Sequence, residues 1–249
     1  MPAPRLVAFD LDDTLAPSKS PLDPEMAGLL ADLLGVTQVC VISGGQFGQF
    51  RDQVIGRLPE VREELLQRMH LMPTCGTQYW RRANGGWTQV YAEDLTDDEK
   101  RDALAAVEEE ARRLGLWESE TWGAILEDRG SQITFSALGQ QAPAEVKKTW
   151  DPSGEKRNTL RAAVQDRVPG LEVRSGGSTS IDITRRGIDK AYGMTKLATV
   201  TGIHFGDMLF VGDRLDPDGN DFPVIALGIP TAPTTGWKST ADIVRGLLS

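Results

Sequence analysis

Cysteine and histidine are scarce in this chain, with two of each among 249 residues. Two cysteines cannot build a disulfide framework. Cys40 falls in a run that reads as buried strand and Cys75 in a turn-like Pro-Thr-Cys-Gly, so both are expected as reduced thiols of a cytoplasmic protein. His70 and His204 have no partners at metal-ligand spacing, which points to packing or surface roles. No apolar run is long enough to span a bilayer, and the N-terminus lacks an apolar signal core. Cationic excess is missing as well: 27 Lys and Arg against 36 Asp and Glu leave a net charge of −9. That balance argues against nucleic acid or an anionic membrane as the main partner, while a local basic pocket stays open. Repeats and low-complexity tracts are absent, and the ordinary apolar and charged fractions exclude a disordered chain.

What the chain does have is apolar runs that end in chemistry. Residues 6–9 are apolar and lead into Asp10-Leu-Asp-Asp-Thr14. That length suits a buried strand, whose C-terminal end in an α/β sheet is where ligands bind. Carboxylates as close as Asp10 and Asp12 repel unless a cation sits between them or one keeps a proton. A metal site and an acid–nucleophile pair both fit, and an Asp-rich turn is the plain alternative. A second run, Gln38-Val-Cys-Val-Ile, ends in Ser43-Gly-Gly45, where a hydroxyl and close-approaching backbone amides suit an anion. Gly187-Ile-Asp-Lys190 precedes a helical pattern. A last run, Met208-Leu-Phe-Val, opens into Gly212-Asp-Arg-Leu-Asp-Pro-Asp-Gly-Asn-Asp221.

The organisation is core, insertion, core. Strand and helix alternate from the N-terminus, with a helix expected from the Asp23 cap and Pro24 to Leu34 and a stop at Gly35. Helices are expected over 47–58 and 60–69, then a hairpin over 77–81 and 87–91 around Asn84-Gly85. The middle holds a capped helix over 96–114, short alternating strands at 132–136, 171–174 and 180–184, and a helix over 156–167. A helix over 190–200, strands at 208–211 and 224–227 and a helix over 240–248 close the chain. The expected fold is α/β: a Rossmann-like parallel-sheet core from residues 1–90 and 186–249, with an inserted α+β cap over 91–185.

Four such motifs in this order resemble the haloacid dehalogenase superfamily of phosphotransferases. The resemblance implies Asp10 as nucleophile, giving an aspartyl phosphate, and Asp12 as the acid and base that serves the leaving and entering oxygens. It implies Mg²⁺ held by Asp10, Asp12 and Asp213, with Asp221 closer to a water-mediated role. Lys190, Thr14, Ser43 and the Gly44 amide would bind the phosphate. Asp216 and Asp218 read as solvated turn residues.

Within the superfamily, the cap's place in the chain resembles the C2B type, and nearly the whole chain resembles the eukaryotic-type phosphomannomutases. Ser175-Gly-Gly-Ser-Thr-Ser-Ile-Asp182 is similar to their cap strand, implying Ser180 and Asp182 as sugar and phosphate ligands. Arg129 matches one of the arginines around the distal phosphate, whereas Lys19, Gln140 and Lys147 stand where others would be. Lysine keeps the charge without the bidentate fork, and glutamine loses it. One such Arg-to-Gln change weakens a phosphate clamp by roughly 1.5–3 kcal/mol without abolishing it. The resemblance therefore implies a phosphohexomutase acting on a small sugar phosphate, with a hexose bisphosphate as activator. A sugar-phosphate phosphatase is the alternative, and a non-catalytic sugar-phosphate binder a distant third. The resembling mutases form a homodimer through the cap; the sequence itself leaves the oligomeric state open.

Overall fold

A computed structural model describes residues 3–249. In chain order, the first stretch contains β1 (Leu6–Phe9), α1 (Pro24–Val36), β2 (Gln38–Ile42), α2 (Phe47–Gln53), α3 (Glu63–Leu66), β3 (Met69–Met72), β4 (Gln78–Ala83) and β5 (Gly86–Ala92). Then come α4 (Asp97–Arg113), β6 (Leu126–Asp128), β7 (Gln132–Ser136), α5 (Ala144–Trp150), α6 (Glu155–Arg167), β8 (Leu171–Ser175) and β9 (Ser180–Arg185). The last stretch is α7 (Lys190–Thr201), β10 (Met208–Gly212), β11 (Thr231–Pro233) and α8 (Trp237–Leu248). Two compact units result: one up to Ala92 together with Ile188–Ser249, the other Glu93–Gly187.

The first unit is an α/β layer structure around a seven-stranded sheet of order β11-β10-β1-β2-β3-β4-β5. β11 through β3 run parallel, and β4 and β5 add an antiparallel hairpin. A parallel sheet is covered on both faces, so its strands read as unbroken apolar runs. Every residue of β1 is fully buried, as are the last four of β2. The Asp23 side chain caps α1 by accepting from Glu25 N–H, and the helix buries Met26, Leu30, Leu33 and Leu34. It continues through Gly35 and ends where Thr37 turns extended, so the expected stop at Gly35 is corrected by one turn's end.

Two larger corrections concern short apolar runs. The helix expected over 60–69 is cut to Glu63–Leu66, and residues 69–72, of which only 69 fell in that helix, form a fully buried strand that was not expected. A run of four residues, Met69-His-Leu-Met72, carries too little periodicity to separate the two states. Residues 222–227 form a 3-10 turn instead of a strand, with Pro223 lacking the N–H a ladder needs, and the sheet is completed by β11. The expected helix over 47–58 also breaks after Gln53 into a 3-10 turn at Ile55–Arg57.

His70 is a packing residue in β3. Its Nε2 lies 2.8 Å from Gln38 Oε1, a pure acceptor, and its Nδ1 lies 2.7 Å from the Tyr79 hydroxyl. In the neutral ring, Nε2 carries the proton toward Gln38 and Nδ1 accepts from the Tyr79 hydroxyl. Burial, reinforced by the Arg81 charge, pushes its pKa down to about 3 from the ordinary 6.5. Between those values only the unfolded chain takes up the proton, so this stability is complete above pH 6.5 and is lost as pH falls. The slope is about 1.4 kcal/mol per pH unit. Between pH 6.5 and 5 the wild type should lose about 2 kcal/mol more than His70→Gln in urea unfolding. Equal losses would show that His70 is not buried neutral.

The second unit packs a four-stranded antiparallel sheet, β6-β7-β9-β8, against helices. Thr96 and Glu99 form the expected capping box at the start of α4. Ile133, Phe135, Ile181, Ile183, Leu171 and Val173 share one core with Val107, Leu160 and Val164. Burying each such side chain contributes about 1.5–3 kcal/mol. Alternation sends Gln132, Thr134, Ser136, Ser180, Asp182 and Thr184 to the opposite face, which is polar.

Candidate active site

In the first unit, three neighbouring parallel strands end together. Asp10 follows β1, its N–H extending the ladder to Val211 O at 3.0 Å; Ser43 follows β2 and Asp213 follows β10. Lys190 opens α7, where the Asp189 side chain caps the helix by accepting from Tyr192 N–H at 2.9 Å.

These positions converge on one buried charge cluster. Carboxylate oxygens of Asp10, Asp213 and Asp221 lie within 4.8 Å of one another. Lys190 Nζ is 2.6 Å from Asp10 Oδ1 and donates to Asp221 Oδ1 at 2.5 Å. Asp221 and Lys190 are no more than 1% exposed. Asp221 reaches its place because Gly212 has no side chain: a Cβ there would stand 2.4 Å from Asp221 Oδ2. That same Oδ2 accepts from Arg214 N–H at 3.1 Å.

Burial is the largest influence on Asp10 and pushes it up to about 8, with Asp221 adding to the rise and Lys190 opposing it. Asp213 is raised by burial and by Asp221. Burial works to lower the Lys190 ammonium, but Asp10 and Asp221 overcome it and hold the pKa above the ordinary lysine range. Three carboxylates facing one ammonium leave the cluster short of positive charge when all are ionised. An all-oxygen donor set with that deficit fits a hard divalent cation such as Mg²⁺.

The other expected residues sort themselves around this cluster. Thr14 is fully buried and donates to Asp213 Oδ1 at 3.2 Å, so it orients a carboxylate of the cluster. Ser43 Oγ accepts from Gly45 N–H at 3.1 Å, which leaves its own hydrogen to donate. Gly44 follows directly, its Cβ direction pointing at Cys75 Sγ 4.0 Å away. The Asp12 carboxylate is not part of the three-carboxylate cluster: Oδ1 accepts from Lys19 N–H at 2.7 Å and Oδ2 from Gln49 Nε2 at 2.9 Å. Lys19 thus meets Asp12 through its backbone, in a left-handed conformation with φ 55°. Asp13 has φ 59°, a left-handed conformation that Asp tolerates better than most residues. Asp216 is exposed and pairs with Arg214 at 2.8 Å, away from the cluster.

The remaining candidates lie in the second unit, on or beside the polar face of its sheet. Asp182 Oδ1 accepts from Gln132 Nε2 at 2.9 Å and Thr134 Oγ1 at 2.7 Å. The Ser180 and Ser136 hydroxyls are 2.9 Å apart, and Gln140 Nε2 donates to Ser136 Oγ at 2.8 Å. Lys147 Nζ donates to Gln140 O at 3.2 Å. Arg129 donates to Glu127 Oε2 through Nε at 2.9 Å and Nη2 at 2.7 Å, and its side chain is 10% exposed.

Sequence reasoning missed Gln49, Glu127, Gln132 and Thr134. The period of two in Gln132-Ile-Thr-Phe-Ser136 carried the signal for the last two.

Among the described residues, no helix is long and apolar enough to cross a membrane. A sequence model described as eukaryotic phosphomannomutase matches residues 26–238. Human phosphomannomutase 1 is 25% identical over 226 residues, covering 89% of this chain and 83% of that protein. The C-terminally truncated IMP-nucleotidase of Plasmodium falciparum has a similar structure, with TM-score 0.73, 14% identity, and coverage of 99% of this chain and 72% of that one. A haloacid dehalogenase-like hydrolase from Bacteroides thetaiotaomicron superposes with TM-score 0.64 at 13% identity, covering 98% of this chain and 99% of that one.

Proposed function

The chain belongs to the eukaryotic phosphomannomutase family, and from that premise we propose that it moves a phosphoryl group on a hexose phosphate through the Asp10 carboxylate. It is an enzyme of the haloacid dehalogenase superfamily, a mutase or a phosphatase. The observation that carries the reading is the buried Lys190 ammonium between Asp10 and Asp221, at the rim where three parallel strands end.

Asp10 attacks phosphorus as the bond to the sugar oxygen breaks, and Asp12 gives that oxygen a proton. In the second half an acceptor oxygen attacks the aspartyl phosphate while Asp12 takes its proton, which regenerates Asp10. Ser43 and the Gly44 amide donate to the phosphoryl oxygens, and Lys190 offsets their charge. Asp10, Asp213 and Asp221 would hold Mg²⁺, which supplies further positive charge beside the phosphate when bound. Lys19, Arg129, Gln140, Lys147, Ser180 and Asp182 recognise the sugar and its distal group. Two cysteines, neither of them in a disulfide, support a reducing, cytoplasmic setting.

Mutase comes first because the family match runs through both units. One observation favours the phosphatase: Glu127 already offsets the charge of Arg129, the cation best suited to grip a second phosphate. Mannose 1-phosphate, incubated in Mg²⁺ with and without a hexose bisphosphate, separates the two. A mutase forms the 6-phosphate in a bisphosphate-stimulated reaction, whereas a phosphatase releases free phosphate. EDTA should abolish either activity. Turnover that persists in metal-free buffer, or no turnover of any hexose phosphate, would overturn the proposal.

A further inference from the structure

We propose that Gln49 is the positioning residue for proton transfer, fixing the Asp12 carboxylate for both halves of the reaction. This rests on the phosphotransfer reading above, because it gives Asp12 its work.

Asp12 lies three residues beyond β1, in a loop, where a carboxylate on two rotatable bonds samples several orientations. Two donors remove that freedom. Lys19 N–H takes Oδ1 at 2.7 Å, and Gln49 Nε2, from the first turn of α2, takes Oδ2 at 2.9 Å. The same Gln49 nitrogen donates to Gln53 Oε1 at 3.1 Å, so both amide hydrogens are engaged and the carboxamide has one orientation. Gln53 is itself anchored: it is 6% exposed, and its carbonyl accepts from Leu22 N–H at 2.9 Å. Each Asp12 oxygen keeps a second lone pair, so the carboxyl can still carry the proton that it passes to the leaving oxygen and later recovers from the acceptor.

The neighbouring sequence makes room for this arrangement. A Cβ on Gly45 would stand 2.1 Å from Gln49 Oε1, so the carboxamide occupies the space that any other residue at 45 would fill. Gly45 thus has a purpose separate from the amide that Gly44 offers to phosphate. A general acid contributes about 10²–10⁴-fold, and a misplacement of about 1 Å can cost on the order of 100-fold, so a holder of Asp12 should be visible in kinetics.

The test compares kcat/KM for a hexose phosphate and for p-nitrophenyl phosphate in Mg²⁺. Gln49→Met keeps the length and loses the donor. It should reduce kcat/KM on the hexose phosphate by roughly 10- to 100-fold. On p-nitrophenyl phosphate, whose leaving oxygen needs little protonation, the loss should stay within about threefold. Gly45→Ala displaces only the end of a flexible side chain and should reproduce the pattern through an independent change. The double variant should be no worse than about Gln49→Met alone, since both break one interaction.

Equal losses on the two substrates, or an unchanged or raised kcat/KM in both single variants, would overturn the positioning role. If Gln49→Met does not fold, Gly45→Ala decides. Wild-type protein and Asp10→Asn are assayed alongside. Inactive wild type, or an active Asp10→Asn, would sink the phosphotransfer reading and this role with it; normal behaviour of that pair with an indifferent Gln49 would sink only the role.

Discussion

Asp10→Asn should leave a folded protein that has lost phosphotransfer by more than about a thousandfold, the scale expected when a nucleophile is removed. The substitution keeps side-chain shape and puts a neutral amide where burial already disfavours a charged carboxylate, in a cluster that has more carboxylates than cations. Lys190 and Asp221 remain paired, so no buried charge is stranded and the fold should survive. Thermal melting together with phosphate release from a hexose phosphate checks both halves. A well-folded variant that retained more than a few per cent of activity would remove Asp10 from the role of nucleophile.

Lys190→Met should have the opposite balance, with stability suffering along with activity. Methionine fits a buried site by volume, but it leaves Asp10 and Asp221 facing each other without the ammonium that lies 2.6 and 2.5 Å from them. Breaking a buried pair from one side costs about 3–5 kcal/mol, because an uncompensated charge stays inside. For a chain of this size that is a fall in Tm of roughly 6–20 °C. Adding Asp221→Asn should recover much of the stability by removing the stranded charge, yet none of the activity. A single variant that melts within about 2 °C of wild type would mean that the ammonium is not holding the cluster together.

Both expectations concern residues that were legible before any coordinates. Asp10, Ser43 and Asp213 each follow an apolar run, and a strand covered on both faces must be such a run. Lys190 was legible because it directly follows Gly187-Ile-Asp189 at the start of a helical pattern, a motif shared with the resembling superfamily. Where the sequence misled, the runs were too short. Met69-His-Leu-Met72 could be the tail of a helix or a strand, and only the partners in β2 and β4 decide. β6 has three residues, too few for alternation to reveal that Glu127 and Arg129 share a side.

Gln49 was hidden for a different reason. Its link to Asp12 joins residues 37 apart in sequence, through a space defined by the missing side chain of Gly45. Nothing in a strand or helix pattern encodes a gap. Asp221 comes within reach of Asp10 and Asp213 because the loop closes around Gly212, which is likewise invisible in a string of acids.

The first unit's sheet also has a history, because its centre is made from opposite ends of the chain. β1 sits between β2 and β10, and the contact of Thr14 with Asp213 spans 199 residues. At about 5–20 residues per second, a ribosome needs roughly 10–40 s to make that interval. For that time one edge of Leu6–Phe9 has no strand to pair with, while Glu93–Gly187, continuous in sequence, emerges with all its own strands. An apolar strand edge left open is a template for aggregation. Nascent chains therefore pass through an aggregation-prone stage before Lys190 and Asp213 have been synthesised, and a chain cut short in the inserted unit is left with an open-edged half-sheet and no means of catalysis.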